Sequence, residues 1–218
     1  MDIAVRREIL SEEFDYQTIM HALGDHVYPR GRISALIRGG DIVRVKKGIY
    51  VFGEQYRERP YSREVLANII YGPSYISLEY AMGFYGMIPE SVEGVTSVTT
   101  GRSRRFETPV GLFSYRSVPA AAFSVGIDRM ETRDGKSFLI ALPEKALADK
   151  IRLDHGSGIS SQRELKQYLI DSLRIDPATL AGMNAERVEE YSALYRSRKI
   201  GLLAKLLHRG IGRGGRWK

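Results

Sequence analysis

The chain has 218 residues, of which 43% are hydrophobic and 27% charged, values near globular averages that argue against wholesale disorder. Its net charge of +7 favours a polyanionic partner, whether nucleic acid, anionic membrane surface or acidic protein, without choosing among them. Because the chain contains no cysteine, disulfides, a thiol nucleophile and thiolate metal sites are excluded.

Two helices are predicted at the start of the chain. Residues 1–10 favour a short helix, and Ser11 is expected to cap a second helix that runs from Phe14 to Leu23. Gly24 is expected to end the second helix because glycine tolerates the backbone of a helix end. The apolar contacts expected of the first helix are Ile3, Ile9 and Leu10.

A third helix and a hairpin are predicted next. Residues 28–31 form a turn with proline, residues 32–38 have helical spacing, and Gly39-Gly40 follows as a stop. Residues 42–52 are rich in valine and isoleucine and predict two strands that turn at Lys47-Gly48. The order of helix, turn, helix and hairpin is typical of a winged helix-turn-helix domain, which we expect over residues 1–55.

The third predicted helix has the character of a DNA-reading element. From Tyr28 to Gly48 there are six lysines or arginines and a single acid. A helix fits the major groove of DNA, where arginine is the commonest reader of guanine. The candidates for DNA contact are Arg30, Arg32, Ser34, Arg38, Arg44, Lys46 and Lys47. The alternative is a module for protein contacts whose charges are a solvated face.

A second domain of α+β type, with a helical C-terminal part, is expected over residues 60–218. The polar residues 53–60 mark the boundary, since they lack apolar periodicity. Helices are predicted at 62–70, 77–85, 143–153, 161–172, 184–195 and 198–208. Strands are predicted at 95–100, 104–108, 112–118 and 138–142.

Two further basic segments lie in this second domain. One is a turn between predicted strands that carries Arg102, Arg104 and Arg105; it would contact phosphates, dock an acidic partner or be an ordinary solvated hairpin. The other is residues 196–218, with eight lysines or arginines and no acid. This end would lie along a nucleic acid backbone or be a frayed terminus, and residues 198–208 would alternatively touch a membrane surface as an amphipathic helix.

Motifs of catalysis are weak in this sequence. Gly135-Lys136-Ser137 matches the end of a phosphate-binding loop, but Met130 stands where the first glycine of that loop is required. The histidines show no metal-ligand spacing; they are His21, His26, His155 and His208. We therefore expect neither an enzyme nor a metal or other cofactor.

Hydropathy gives no sign of a membrane protein. No run approaches the roughly 18 apolar residues that span a bilayer, and the first residues lack the apolar core of a signal peptide. We expect a soluble cytoplasmic protein.

Several stretches in order resemble the AbiEi family of antitoxins. YPRGRISALIRGGDIVRVKKGIYVF is similar to the N-terminal winged helix of that family. Three later stretches are similar to the domain that follows the winged helix in that family: GPSYISLEYAMGFYGMIPE, SVTTGRSRRFETPVGLFSYRSV and LPEKALADKI. Together the resemblance covers roughly residues 14–153.

The resemblance implies a type IV antitoxin. Such a protein counters a nucleotidyltransferase-like toxin without a stable complex, and its winged helix represses the shared promoter by binding double-stranded DNA. On this view the seven residues above face DNA, and Arg102, Arg104 and Arg105 belong to the functional surface of the second domain. Two alternatives stay open: a transcription regulator without a toxin, whose second domain binds a ligand or protein, and a module that docks an acidic protein. The sequence leaves the oligomeric state open.

Overall fold

The computed structural model describes the backbone of residues 3–212 and 216–217 and the side chains of residues 5–210. Over this part the chain is mixed α+β, which confirms the expected class. Its first six elements are helix α1 (Ile3–Glu8), strand β1 (Glu13–Asp15), helices α2 (Tyr16–Leu23) and α3 (Pro29–Arg38), and strands β2 (Ile42–Lys46) and β3 (Ile49–Phe52).

Strand β1 departs from the prediction, which placed a helix from Phe14. The strand pairs with β3, so the three antiparallel strands have the order β1-β3-β2. Helix α2 starts later than predicted, and Asp15 caps it in place of Ser11, because the Asp15 carboxylate accepts a hydrogen bond of 2.8 Å from the Thr18 N–H. Three residues are too few to show the alternation by which a strand is recognised.

A hydrophobic cluster joins these six elements. Its buried members include Phe14, Ile19, Ile33, Leu36 and Phe52. Ile9 is buried in the same cluster, but Leu10, predicted as an apolar contact of the first helix, is 81% exposed because it lies beyond the end of α1. The side chain of Ile3 lies outside the described residues.

A six-stranded mixed sheet lies at the centre of the rest of the chain. Its strands are β4 (Ser74–Ile76), β5 (Val95–Thr99), β6 (Arg104–Thr108), β7 (Gly111–Ser117), β8 (Ile127–Glu131) and β9 (Ser137–Ala141), in the order β6-β7-β5-β4-β9-β8. The pairs β5–β7 and β4–β9 are parallel, and the others are antiparallel. The sequence predicted all but β4 and β8. The first is three residues long and wholly buried, and the second is a charged edge, so neither has an alternating pattern.

Helices cover both faces of this sheet. They are α4 (Arg63–Ile70), α5 (Leu78–Phe84), α6 (Ala120–Phe123), α7 (Pro143–Leu153), α8 (Gln162–Gln167), α9 (Pro177–Ala181), α10 (Ala185–Tyr195) and α11 (Arg198–Arg209). The Tyr115 hydroxyl donates to the Ala67 carbonyl of α4 at 2.6 Å, and the Tyr75 hydroxyl donates to Asp149 of α7 at 2.9 Å. The strand register directs these two tyrosines to opposite faces, so α4 and α7 lie on opposite sides of the sheet.

The C-terminal helix α11 is packed into the core. Its buried residues are Ile200, Leu203, Ala204 and Leu206. Because this apolar face is already covered, the expected alternative of a membrane-touching helix over residues 198–208 is wrong. The tail beyond it forms two-residue strands β10 (Ile211–Gly212) and β11 (Arg216–Trp217), and the side chains of residues 211–218 lie outside the described residues.

The β2–β3 hairpin packs against the six-stranded sheet, which is the second sheet of the chain. Three of its residues belong to the larger hydrophobic core; they are Val45, Ile49 and Val51. An ion pair of 2.9 Å between Glu13 and Lys136 crosses the same junction. The polar segment 53–60, predicted as a domain boundary, contains a 3-10 turn at Glu54–Tyr56, and apolar packing extends across it.

Gly53 is a position where a larger residue is expected to disturb this packing. It is buried, and its N–H donates to the Asp41 carbonyl at 2.8 Å, so an added Cβ would lie 1.8 Å from the carbonyl oxygen of Gly40. Because the obstacle is backbone, Gly53→Ala should lower the free energy of unfolding by about 1–3 kcal/mol in urea denaturation. Gly182→Ala, whose Cβ would meet its nearest atom at 3.6 Å, is the control and should change stability by no more than about 0.5 kcal/mol. Equal stabilities of the two variants would contradict the packing described.

Candidate functional site

Helix α3 presents a row of polar residues to solvent. Proline at its first position sets the backbone for the helix start, and Ile33 and Leu36 turn towards the core. Arg30, Ser34 and Arg38 are exposed and lie four residues apart, which places them in one line along the helix. Arg32, which the sequence placed on this face, is half-buried at its flank.

Ser34 lies in the centre of this row. Its hydroxyl donates to the Arg30 carbonyl one turn earlier, at 3.0 Å. Since the proton is used inside the helix, the oxygen still offers lone pairs to a donor outside it. The row therefore combines two guanidinium donors with a central acceptor.

The β2–β3 hairpin separates its basic residues into two groups. Arg44 and Lys47 are exposed, with Gly48 at a positive φ of 84° completing the turn. The register shifts between Arg44, which faces Tyr50, and Lys46, which faces Ile49. Such a bulge turns two residues that would share a face to opposite sides.

Lys46 is consequently directed away from Arg44 and towards the second sheet. Its ammonium donates to the Ile70 carbonyl at 2.7 Å and lies 4.6 Å from the centre of the Phe106 ring. We correct the sequence assignment accordingly: Lys46 fastens the hairpin to the second sheet, and it is left out of the candidate DNA-facing set.

The loop before α3 adds two exposed residues that the sequence did not single out. Val27 is 99% exposed and Tyr28 is 70% exposed. The Tyr28 ring lies over Gly31, where an added Cβ would come within 2.1 Å of two ring carbons. The glycine inside the helix start is the signal that could have identified this contact, because glycine is a poor helix former.

A cleft of about 840 Å³ lies between the second sheet and α7. The sheet side contributes Thr96, Ser103, Arg104, Arg105, Ser114, Tyr115 and Arg116, and the helix side contributes Leu78, Glu79, Lys150, Leu153, Asp154 and His155. Arg104 and Arg105, predicted as a second functional surface, thus lie on one cleft. Arg102, predicted with them, is exposed in the preceding loop and does not line it.

Charge is divided unevenly across this cleft. On the helix side, Lys150 pairs with Glu79 at 2.8 Å and with Asp154 at 3.2 Å. Burial alone would lower the pKa of Lys150, but these two ion pairs outweigh it and raise the pKa. The Asp154 pKa is lowered despite burial, because Tyr168 and Lys150 donate hydrogen bonds to its carboxylate.

The guanidinium groups of the cleft are on its sheet side. Arg105 pairs at 3.1 Å with Glu107, and both side chains are largely exposed. Among the described residues, Arg104 and Arg116 pair with no carboxylate. Arg116 is therefore available to an external anion on the α7 side, whereas Arg104, in register with Tyr115, is directed to the other face of the sheet.

A buried polar network lies behind the cleft in α7, where Lys145 and Asp149 are both 0% exposed. They form an ion pair one helical turn apart, and the Lys145 ammonium also donates to the Tyr195 hydroxyl at 2.8 Å. The Asp149 carboxylate accepts from the hydroxyls of Tyr75 and Ser77, at 2.9 and 2.8 Å. The sequence suggested only a helix start here, since a lysine and an aspartate four apart are usually exposed.

No group of three histidine, aspartate or glutamate residues converges as a metal site within the described part of the chain. Nor is any helix of the described residues long and apolar enough to cross a membrane.

The chain was compared with known proteins. No protein-family model matches it, and no curated protein matches it either.

Proposed function

We propose that residues 3–52 form a winged helix that binds double-stranded DNA and represses the promoter of its own operon. The observation that carries this proposal is the exposed row of Arg30, Ser34 and Arg38 on α3. The order of elements supports it, since helix, strand, two helices and a two-stranded hairpin follow one another as in a winged helix.

The dimensions and charges of this surface suit a DNA groove. A helix with its side chains is about 10–12 Å in diameter and the major groove is about 12 Å wide, so the exposed side of the ten-residue helix α3 would enter it. Arg30, Ser34 and Arg38 would then meet base edges. Arg44 and Lys47 on the hairpin, with Arg32 on the flank of α3, would hold phosphates.

Tyr28 would complete this surface. Its exposed ring precedes the first turn of α3, where it would reach the sugar–phosphate backbone next to the groove. The hydroxyl gives it a donor for a phosphate oxygen, and the ring gives it apolar area against a sugar.

The whole chain is proposed to be the antitoxin of a type IV toxin–antitoxin system. The resemblance to AbiEi-family antitoxins supports this, and it implies that residues 60–218 counter a nucleotidyltransferase-like toxin without a stable complex. Arg104 and Arg105, with the unpredicted Arg116, are the candidate residues of that second part.

A second candidate is a transcription regulator without a toxin, whose second part senses a ligand. The cleft of about 840 Å³ favours it, because the volume is within the range of small-molecule sites. The adjacent reading frame separates the two candidates: a toxic nucleotidyltransferase-like product that this chain neutralises supports the antitoxin.

DNA binding is tested by footprinting the region upstream of the gene at several salt concentrations. If about five phosphates are contacted, affinity should fall roughly 10²–10³-fold between about 50 and 200 mM salt. A protected segment upstream and none in unrelated DNA of equal length is the expected result. Equal, unspecific protection of both would contradict the repressor proposal.

Neutralisation is tested by co-expression with the adjacent reading frame. Deleting residues 1–53 is unsuitable, because it would expose the surface on which Val45 and Ile49 pack. Point variants are preferable: Arg30→Ala/Arg38→Ala should abolish repression and still rescue growth if neutralisation resides in residues 60–218. Loss of rescue in this variant would contradict the proposed division between the two parts.

A further inference from the structure

The cleft between the second sheet and α7 carries arginines on its sheet wall and carboxylates on the opposite wall. Along the sheet, Arg105 of β6 pairs in register with Ser114 of β7, and Ser114 pairs with Thr96 of β5. These three residues consequently form a polar row on one face of the sheet, and Arg116 projects from the same face two residues further on. The opposite wall carries Glu79 and Asp154.

This arrangement suits a ligand that is anionic at one end and a hydrogen-bond donor at the other. Arginine binds phosphate oxygens through two parallel N–H donors; Arg116 has no carboxylate partner among the described residues, and Arg105 pairs only with the exposed Glu107. Glu79 and Asp154 both pair with Lys150, and Asp154 also accepts from Tyr168, so Glu79 keeps the larger acceptor capacity for sugar hydroxyls or an amine. A ligand of phosphates alone would leave this acceptor capacity unused.

The cleft is separate from the proposed DNA surface. Lys46 fastens the hairpin over Phe106, and the register places Phe106 on the opposite face of the sheet from Ser114 and Arg105. A duplex lying along α3 is therefore on the hairpin side of the sheet, whereas Ser114 and Arg105 face the α7 side. This favours a separate small ligand over an extension of the DNA contact.

We infer that this cleft binds a nucleoside di- or triphosphate, with its phosphates on Arg105 and Arg116 and its sugar or base donors towards Glu79 and Asp154. The site goes beyond the proposed function, since it requires neither DNA nor a toxin. Its volume of about 840 Å³ accommodates a ligand of this size.

The test measures binding of ADP, ATP, GDP and GTP to the full chain by calorimetry, without DNA. Arg105→Ala/Arg116→Ala should weaken the tightest of these nucleotides by at least about tenfold per arginine, since each removes a charge-assisted hydrogen bond. Both side chains are exposed, so the variant should keep its fold by circular dichroism. The matched control is Arg133→Ala/Arg163→Ala, which removes the same charge at exposed positions away from the cleft and should bind as the unchanged protein does.

A second comparison identifies which part of the ligand is recognised. Glu79→Gln should weaken the nucleotide severalfold and leave inorganic pyrophosphate unchanged or bound more tightly. The inference is overturned if none of the four nucleotides binds at millimolar concentration, if the control double variant loses as much affinity as the cleft variant, or if pyrophosphate binds as tightly as every nucleotide. Failure of nucleotide binding would leave the promoter footprint intact, so the two proposals fail separately.

Discussion

Arg30→Ala/Arg38→Ala is expected to bind its operator at least about 30-fold more weakly than the unchanged protein. Each arginine that contacts a guanine through two hydrogen bonds contributes about 1–3 kcal/mol of discrimination, and the two side chains lie two turns apart on α3. Both are exposed, so the free energy of unfolding should change by no more than about 0.5 kcal/mol for each substitution. Electrophoretic mobility shift with the upstream DNA measures the affinity, and urea denaturation measures the stability.

The control for this variant removes the same charge from another surface. Arg133→Ala/Arg163→Ala lowers the net charge by two but leaves α3 untouched. It should reduce affinity only by the small general effect of net charge on a polyanion. If the control weakens binding as much as the α3 variant does, α3 is not the reading helix.

Lys46 gives a contrast within the same hairpin. Lys46→Ala should lower stability, because it loses the hydrogen bond to the Ile70 carbonyl and the contact with the Phe106 ring. Operator affinity should be far less affected than by Lys47→Ala, whose side chain is exposed at the turn. The opposite result would return Lys46 to the DNA-facing set.

Local sequence patterns predicted the hairpin and most of α3, although the helix begins at Pro29 and not, as expected, after a turn at residues 28–31. The spacing of Ile33 and Leu36 gives the buried side of the helix, and Lys47-Gly48 gives the turn. The same patterns placed Lys46 beside Arg44, because residues two apart on a regular strand point to the same face. The bulge that separates them depends on pairing with Ile49 and Tyr50, which no local pattern contains.

The cleft was predictable only in part. Arg104 and Arg105 drew attention as a basic turn, since they are adjacent in sequence. Arg116 and Lys150 join them through the pairing of β6 with β7 and the position of α7, which are tertiary features. Arg102 has the same local signal as its neighbours, but it is exposed in the loop two residues before β6 and does not line the cleft.

Helix α7 carries a wall of this cleft, and its position depends on the buried pair of Lys145 and Asp149. Asp149 binds the hydroxyl of Tyr75 on the sheet, and Lys145 binds that of Tyr195 on α10. The rings of both tyrosines also lie close to the Lys145 ammonium, at 5.4 and 4.5 Å. The pair therefore joins the sheet, α7 and α10 at one point.

Lys145→Ala should lower the free energy of unfolding by about 3–5 kcal/mol, because it leaves the Asp149 carboxylate buried without its counter-charge. Lys145→Met should remain strongly destabilised, since it restores volume but not charge. Lys145→Met/Asp149→Asn should recover part of the loss, because the amide oxygen is uncharged and still accepts from the Tyr75 and Ser77 hydroxyls. Lys205→Ala, exposed on α11, is the matched control and should change stability by no more than about 0.5 kcal/mol. Urea denaturation of the four variants measures these changes in the free energy of unfolding. A decrease below about 1 kcal/mol for Lys145→Ala would mean that the buried pair contributes no more than a surface ion pair. Apolar packing alone would then position α7.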